Sequence, residues 1–406
     1  MHDAARVTLN EENRGVAQAG PTVSSGSGAV RSLEASRFLV DRAGRARAGG
    51  GGREDKFCSP AFHWYAVFVA VSILALICSG GLVTSHDAGL AVPDWPTSFG
   101  YNMFALPFSR WLAPGGVRLE HSHRLIATLE GCLTAGLAVW AFRTESRRWV
   151  RFLSCAAFGA VVFQGLLGGL RVILVADWIG IVHGCFAQAF FALTALVALV
   201  TSRWWQRLGA PDDRRPSSDV VAGLSRKILV TALLIYLQLA LGASMRHAHA
   251  GLSIPDFPRA YGHWWPQVTR ANLPQINQER ETVLHQPATS LGQIHLQMAH
   301  RFNAVLVLGG VVAVALGARR RRGNLPRAWR LLAGAGTLLV GVQVTLGMYV
   351  IWTNKAADVA TAHVATGATL LVWGVLTYAS LRRWVAAPVH QLVRSSVPSA
   401  LAEAAR

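Results

Sequence analysis

Charged residues are scarce in this chain of 406 residues: they make up 15% of it, against 52% hydrophobic residues. The mean hydropathy is +0.33. This scarcity excludes an ordinary soluble domain, in which about a quarter of the residues are charged. The apolar residues fall instead into runs of about 20, the length that crosses a bilayer. Composition therefore predicts a protein embedded in a lipid membrane.

Acidic residues are the rarer charge, with 21 Asp and Glu against 39 Lys and Arg, a net charge of +18. The basic residues do not form one patch that would suit nucleic acid, because they lie in alternate loops between the apolar runs. By the positive-inside rule these loops and both termini are cytoplasmic. The residues concerned are Arg143, Arg147, Arg148, Arg151, Arg203, Arg207, Arg214, Arg215, Arg226, Lys227, Arg319, Arg320, Arg321, Arg322, Arg327, Arg330, Arg382 and Arg383.

Cysteine is also rare, and no spaced pair of cysteines lies in an outer loop. The sequence therefore does not predict a disulfide framework. The five cysteines fall within the apolar runs or just before the first: Cys58, Cys78, Cys132, Cys155 and Cys185.

Residues 1–57 lack the apolar stretch of a signal peptide and are rich in Gly and Ser, so we expect a disordered cytoplasmic tail. The remaining chain divides into a first half at 58–202, a cytoplasmic linker at 203–224, a second half at 225–383 and a cytoplasmic tail at 384–406. Eight apolar runs predict an all-α polytopic membrane protein. They lie at 62–83, 119–142, 152–172, 179–201, 228–245, 291–317, 331–351 and 359–381.

The chain repeats itself. Segments 88–96 and 250–258 read AGLAVPDWP and AGLSIPDFP, and the pairs 99–100 and 261–262 follow at the same offset of 162. The sequence thus predicts two pseudo-symmetric four-helix bundles with parallel topology. Two prolines that bracket an acid and an aromatic residue are typical of a turn. We therefore favour loop structure over a lining role for Asp94, Trp95, Asp256 and Phe257.

Four histidines recur at matching places, all in the outer half of the bilayer. His123 matches His300, and His183 matches His363, so each even-numbered helix carries one. Ionisable residues are unfavourable at that depth, and four at equivalent places predict a function. Other histidines are expected to be solvated or interfacial: His86, His247, His249, His263, His285 and His295.

Two histidines per half leave a zinc shell incomplete, whereas heme needs only axial ligands from facing helices. We therefore predict two heme sites, one between His123 and His183 and the other between His300 and His363. Arg124 and Arg301, each directly after a histidine, suit a heme propionate. Small residues on helices 3 and 7 would admit a flat macrocycle, although close helix packing explains them equally well: Gly165, Gly168, Gly169, Gly341 and Gly347.

The halves differ three residues before the first histidine, where Glu120 stands in one and Gln297 in the other. A carboxylate exchanges protons and stabilises a cation, whereas an amide only forms hydrogen bonds. The first half is thus the candidate reactive site and Glu120 the candidate catalytic residue. Glu130, deeper in the same helix, has no assigned role, since an internal hydrogen bond and a proton path explain it equally well.

With these motifs, residues 62–381 resemble the heme A synthases of bacteria and mitochondria. The likeness rests on the Pro-Asp-Trp-Pro loop, the Glu120-x-x-His123-Arg124 motif, its counterpart His300-Arg301, and the later His183 and His363. The outer-loop cysteine pairs of some members are absent, which puts thiol-linked regulation or electron transfer in doubt.

The resemblance implies oxidation of the C8 methyl of heme O to the formyl group of heme A, the heme of terminal oxidases. It implies heme O as substrate at His123 and His183, heme b as cofactor at His300 and His363, and catalysis by Glu120. The expected partners are a heme O synthase, an electron acceptor or donor, and the lipid bilayer. A homo-oligomer remains open. The expected location is the cell membrane, with the heme sites toward the outer side.

Two other functions compete. A diheme membrane cytochrome that oxidises quinol explains the four histidines equally well, but it does not explain Glu120 in one half and Gln297 in the other. A pseudo-symmetric transporter is disfavoured, because no broken helix and no charged site at mid-depth is evident apart from Glu130.

Overall fold

The computed structural model describes residues 59–210, 218–321, 323 and 325–386. Within these ranges eight helices are long and apolar enough to cross a membrane, and no strand occurs. The chain is thus an all-helical, multi-pass membrane protein, as predicted. The helices are α1 (Pro60–Ser85), α2 (Val117–Thr144), α3 (Arg148–Leu174), α4 (Asp177–Val200), α5 (Ser218–His247), α6 (Leu291–Arg320), α7 (Arg327–Trp352) and α8 (Ala357–Ala386).

The predicted runs lie at the eight helices, but most helices extend two or more residues beyond them. The largest difference is at α5, which begins at Ser218 rather than at residue 228. Its first turns carry Arg226 and Lys227, which lower hydropathy without opposing helix formation. The predicted tail at 1–57, part of the linker and most of the C-terminal tail lie outside the described residues.

Consecutive helices pack in the order α1–α2–α3–α4 and α5–α6–α7–α8. Within each set the first helix also contacts the last, and α4 and α8 contact helices of the other set. Each set has its own apolar core, one around Phe62, Ile73 and Leu137, the other around Ile228, Ile235 and Leu381. Because even-numbered helices begin at the end where odd-numbered helices finish, the N-terminal turns of α2, α4, α6 and α8 meet at one end of the bundle. We call it the histidine end.

Many large apolar side chains point away from both cores. Phe68, Phe152 and Leu338 expose 55%, 71% and 70% of their surface. In water such a surface would favour aggregation, but in a bilayer it contacts lipid chains. The exposed apolar residues therefore agree with a membrane setting.

The α1–α2 and α5–α6 loops fold back over the histidine end. Each forms an isolated bridge, Ser98 with Tyr101 in the first loop and Ala260 with His263 in the second. Gly100 and Gly262 both have φ of +77°, a conformation that favours glycine. The loops also contain short helical segments: Met103–Ala105 and Phe108–Trp111 in the first, and Leu273–Thr282 in the second.

Candidate functional site

The four predicted histidines lie in two pairs near the histidine end. His123, His183 and His363 stand in the second turn of α2, α4 and α8, and His300 stands in the third turn of α6. His123 is close enough to His183, and His300 to His363, for the two rings of each pair to interact electrostatically. The structure thus brings together the histidines that the sequence had paired.

Each of these rings carries a buried nitrogen without a partner. Within the described part of the chain, Nδ1 of His123, His183, His300 and His363 forms no hydrogen bond. A buried polar group without a partner costs about 1–3 kcal/mol, so such atoms are rare and call for an explanation. Four equivalent examples at one end of a helix bundle indicate that a bound group completes them.

Two backbone carbonyl groups lie near the rings of two of these histidines. The backbone of Gln164 lies near the ring of His183 and that of Gln343 near the ring of His363. The side-chain Nε2 of Gln343 also lies 3.3 Å from Nε2 of His363, while Nδ1 of both rings lacks a partner among the described residues. An iron-bound imidazole usually donates its other N–H to a carbonyl or carboxylate. These residues therefore fit histidines that serve as axial ligands.

A glycine backs each histidine on the neighbouring helix. A Cβ added at Gly80 would lie 3.0 Å from Cε1 of His123, and one at Gly242 would lie 3.3 Å from Cε1 of His300. The corresponding distances are 3.5 Å from Gly168 to His183 and 3.1 Å from Gly347 to His363. Each ring thus lies in a cradle that a side chain would fill.

Sequence reasoning named Gly168 and Gly347 but missed Gly80 and Gly242. The signal was present, because 80 and 242 differ by the same 162 residues as the two outer loops. Their contacts with His123 and His300 link α1 to α2 and α5 to α6.

The donor set favours heme over a protein-bound metal ion. Among the described residues, no group of three or more His, Cys, Asp or Glu side chains could hold a metal ion. Two imidazoles facing each other suit the axial positions of a heme iron. The residues present therefore fit the heme sites that the sequence predicts.

Glu120 is buried, with 4% of its surface exposed, and it joins the site to the α1–α2 loop. Its Oε2 accepts the backbone N–H of Val92 at 2.8 Å, and its Oε1 pairs with Nη2 of Arg124 at 2.7 Å. The carboxylate lies one helical turn before His123, at the boundary between loop and helix.

Gln297 repeats the first of these contacts in the second half. Its Oε1 accepts the backbone N–H of Ile254 at 2.6 Å, and its Nε2 donates to the carbonyls of Gly251 and Ile254, each at 3.3 Å. Val92 and Ile254 occupy matching places in the two loops. Glu120 and Gln297 therefore both hold their loops through a backbone N–H, but only Glu120 carries a negative charge.

The terminal N–H groups of Arg124 all have acceptors, three in the α1–α2 loop and one on Glu120. Nη1 donates to the carbonyls of Asp94 and Thr97, and Nη2 donates to Val92 and Glu120. These four bonds use all four terminal N–H groups of the guanidinium. A propionate contact from Arg124 would thus need Nε–H or a change of partners.

Fewer N–H groups of Arg301 have a hydrogen-bond acceptor. Its Nη1 donates to the carbonyl of Arg259 and its Nη2 to that of Asp256, while its buried Nε has no partner among the described residues. The guanidinium also lies 5.5 Å from the ring centroid of Phe257, a cation–π distance. Arg301 therefore retains N–H groups for a carboxylate.

Comparison with known proteins identifies the family. The COX15-CtaA family, described as cytochrome oxidase assembly protein, matches residues 117–376. The chain belongs to this family.

Several curated relatives of this family member carry the name heme A synthase. The protein of Shouchella clausii (strain KSM-K16) is 28% identical over 50% of this chain and 64% of its own length. The protein of Geobacillus kaustophilus (strain HTA426) is 25% identical over 78% of this chain and 90% of its own. The protein of Symbiobacterium thermophilum is 27% identical over 76% and 90%, respectively. The match to the S. clausii protein thus covers slightly less than two thirds of that relative.

The acidic residues of the two outer loops organise turns. Asp94 accepts hydrogen bonds from Thr97 Oγ1 at 2.5 Å and from the backbone N–H groups of Phe99 and Gly100 at 2.6 and 2.8 Å. Burial acts to raise the pKa of Asp94, but these three bonds outweigh it and hold the pKa below its ordinary value.

Asp256 accepts the matching backbone bonds in the second loop, from Tyr261 at 2.7 Å and Gly262 at 2.9 Å. These contacts agree with loop structure as the role of both acids. Trp95 reaches further, since its ring packs directly on Gly169 of α3.

Glu130 lies deeper in α2, almost fully buried. Its Oε2 accepts the Ser72 hydroxyl at 2.6 Å and its Oε1 the Thr134 hydroxyl at 3.3 Å. These bonds agree with an internal hydrogen-bonding role for Glu130, one of the two roles that the sequence left open beside a proton path. No described contact connects Glu130 to Glu120.

Two polar residues near the site were missed. His121 is buried, with its Nδ1 3.3 Å from Ser98 Oγ and its ring packed edge-on against Trp111. Arg246 lies in the last turn of α5 and donates to the Gly81 carbonyl and the Ser85 hydroxyl of α1, which connects the two halves. One residue grouped with the loop histidines, His247, belongs to α5 and packs on Gly180 of α4.

Proposed function

We propose that this protein is a heme A synthase, which oxidises the C8 methyl of heme O to the formyl group of heme A. The observation that carries the proposal is the pair of glycine-backed histidine sites; among the described residues, a carboxylate stands one helical turn before the histidine in the first half, and an amide stands there in the second. The names of the relatives support the same function.

Heme O would be held between His123 and His183. Conversion of a methyl to a formyl group removes four electrons and introduces one oxygen atom, and it proceeds most simply through an alcohol and a hydrated aldehyde that loses water. Each oxidation also releases protons. Glu120, paired with Arg124 one turn from His123, is the group that would accept a proton or stabilise positive charge on the substrate.

Heme b would be held by His300 and His363, with Arg301 available for a propionate. When bound, this cofactor would supply a redox centre that relays electrons from the substrate. Gln297 cannot exchange protons at neutral pH, so in that half it acts only on the loop. This division supports substrate chemistry in the first half and electron transfer in the second.

We further infer that the halves are pseudo-symmetric copies. The matching helix contacts, loop turns and histidine cradles support this relation. Arg143, Arg148 and Arg203 lie at the end opposite the histidines, which supports cytoplasmic termini and outward-facing heme sites. A heme O synthase as heme donor and a separate electron acceptor or donor complete the proposal.

A diheme cytochrome without chemistry on its hemes is the less favoured function. It needs four axial histidines, but it gives no role to the difference between Glu120 and Gln297. The names of the relatives favour the synthase as well.

Expression in a host that makes heme O but not heme A tests the proposal. We expect heme extracted from these cells to include a formyl-bearing species, identified by mass and by its pyridine hemochrome spectrum. Cells that carry the empty vector provide the control. Recovery of heme O and heme B without any formyl heme would contradict the synthase function.

A further inference from the structure

Heme carries two propionates, and each needs a cation or water where the macrocycle enters the membrane. In the first half the adjacent cation, Arg124, already donates all its terminal N–H groups to Asp94, Thr97, Val92 and Glu120. A propionate contact from Arg124 would need its Nε–H or a change of partners, so a second cation near His123 and His183 would supply donors that Arg124 does not.

Arg171 occupies that position. It lies in the last turn of α3, three residues after Gly168, so it shares a face of the helix with the glycine that backs His183. Its charge acts on both His123 and His183. The guanidinium thus lies within electrostatic range of both proposed ligands of the substrate iron.

The guanidinium rests on the α1–α2 loop. A Cβ added at Gly89 would lie 2.7 Å from Nη1 and 2.9 Å from Nη2 of Arg171. A glycine here leaves room for the guanidinium against the loop backbone. Any larger residue at this position would force the guanidinium away.

Within the described ranges, the guanidinium of Arg171 forms no hydrogen bond and no ion pair. A half-buried guanidinium with free donors, within electrostatic range of two ligand histidines, suits the bidentate geometry of a carboxylate.

We propose that Arg171 binds a propionate of the heme held by His123 and His183, and thereby positions the substrate. This inference rests on the proposed function. On the porphyrin periphery the C8 methyl and one propionate belong to the same pyrrole ring. An anchor on that propionate fixes the methyl that reacts, whereas an unanchored porphyrin turns about the iron axis. Arg171 is thus a positioning residue and specificity determinant, distinct from Glu120.

The test is a binding titration that needs no turnover. Protein is purified from a host that supplies heme b but no heme O, and heme O or its dimethyl ester is added while Soret absorbance is followed. We expect Arg171→Gln to weaken heme O binding about tenfold, in line with loss of a charged hydrogen bond. Arg171→Lys should recover part of the affinity. The dimethyl ester, which has no carboxylate, should bind wild type and Arg171→Gln equally.

Lys355→Gln provides the matched control. Lys355 lies over Gly251, the counterpart of Gly89, but its side chain is exposed and belongs to the other half. Its substitution should leave heme O affinity unchanged.

Equal heme O affinity in wild type and Arg171→Gln would overturn the proposal. So would an equal loss of affinity for heme O and for the diester, which would assign Arg171 to packing at the helix end. Failure of the synthase function would appear separately, as absent formyl heme in cells despite propionate-dependent binding in the titration.

Discussion

The two outer loops are held by the same bonds, but among the described residues only the first half has a carboxylate ion pair next to its loop, on α2. Glu120 and Gln297 both accept the N–H of a buried loop residue, and Arg124 and Arg301 both donate to loop carbonyls. Only Glu120 also pairs with the arginine that follows its histidine. The bonds that hold the loops are thus shared by the two halves, whereas the carboxylate that can exchange protons is present only at position 120 and not at position 297.

Loss of an axial histidine should have the largest effect, and it should distinguish the halves. We expect His300→Ala to abolish b-type absorbance in purified protein and His123→Ala to retain it, because each removes one of two iron ligands. Pyridine hemochrome spectra of the two variants provide the measurement.

His295→Ala is the control for these variants, since His295 is exposed on the same helix as His300. It should keep both hemes. Normal b-type absorbance in both His300→Ala and His363→Ala would refute the cofactor assignment.

Glu120→Gln should turn the first half into a copy of the second. The amide keeps the bond to the Val92 N–H, as Gln297 does for Ile254, but it cannot exchange protons. We expect heme content to stay near wild type while heme A formation falls by about 100-fold or more, the usual range for general acid–base catalysis. Extracted heme A relative to heme O gives the measurement.

The reciprocal Gln297→Glu should leave heme A formation within about twofold of wild type, since the chemistry lies in the other half. If Glu120→Gln makes heme A at the wild-type rate, the charge difference between the halves has no catalytic meaning.

The glycine cradles should differ in tolerance. A methyl at Gly80 would meet His123 at 3.0 Å, whereas one at Gly242 would meet His300 at 3.3 Å. We therefore expect Gly80→Ala to weaken heme binding in the first half by several-fold, and Gly242→Ala to have a smaller effect in the second. Heme titration of each variant measures both effects, and the reverse order would show that the histidines move freely.

The smallest effect should come from the loop acids. The pKa of Asp94 is lowered in the folded protein, so its ionised form stabilises the loop above the ordinary aspartate pKa of about 4, and this stabilisation is lost as pH falls through the lowered value. We expect Asp94→Asn to lower the free energy of unfolding by about 1 kcal/mol at neutral pH. We also expect the stability of this variant to fall less than that of wild type as the pH is lowered.

Thermal unfolding of the detergent-solubilised protein between pH 3 and pH 7 tests this expectation. Asp256→Asn is the matched variant in the second loop. Identical pH profiles for wild type and Asp94→Asn would show that the first loop does not depend on that charge.

Much of this architecture follows from sequence patterns that act locally. Bilayer thickness imposes helix length, so the eight apolar runs predicted the eight helices, and the strict offset of 162 exposed matching loops. The four histidines stood out because ionisable groups are rare at that depth. Patterns of this kind need no knowledge of which helix faces which.

Contacts between distant segments did not follow from sequence. The arginines after His123 and His300 looked free for propionates, because nothing local shows that they turn back to loop carbonyls about 30 to 45 residues away. Nothing in the sequence singled out Arg171, because its place over Gly89 depends on how α3 packs against the α1–α2 loop.

The sequence by itself determined that the chain spans a membrane, that it repeats, and that the repeats share histidines but differ at Glu120 and Gln297. Only the tertiary structure decided that these two side chains hold their loops in the same way and that Arg171, which has no hydrogen-bond partner among the described residues, lies within electrostatic range of His123 and His183. The physical reason is that hydropathy and repeat spacing are properties of the linear chain, whereas the partner of a buried donor or charge is decided only when helices pack.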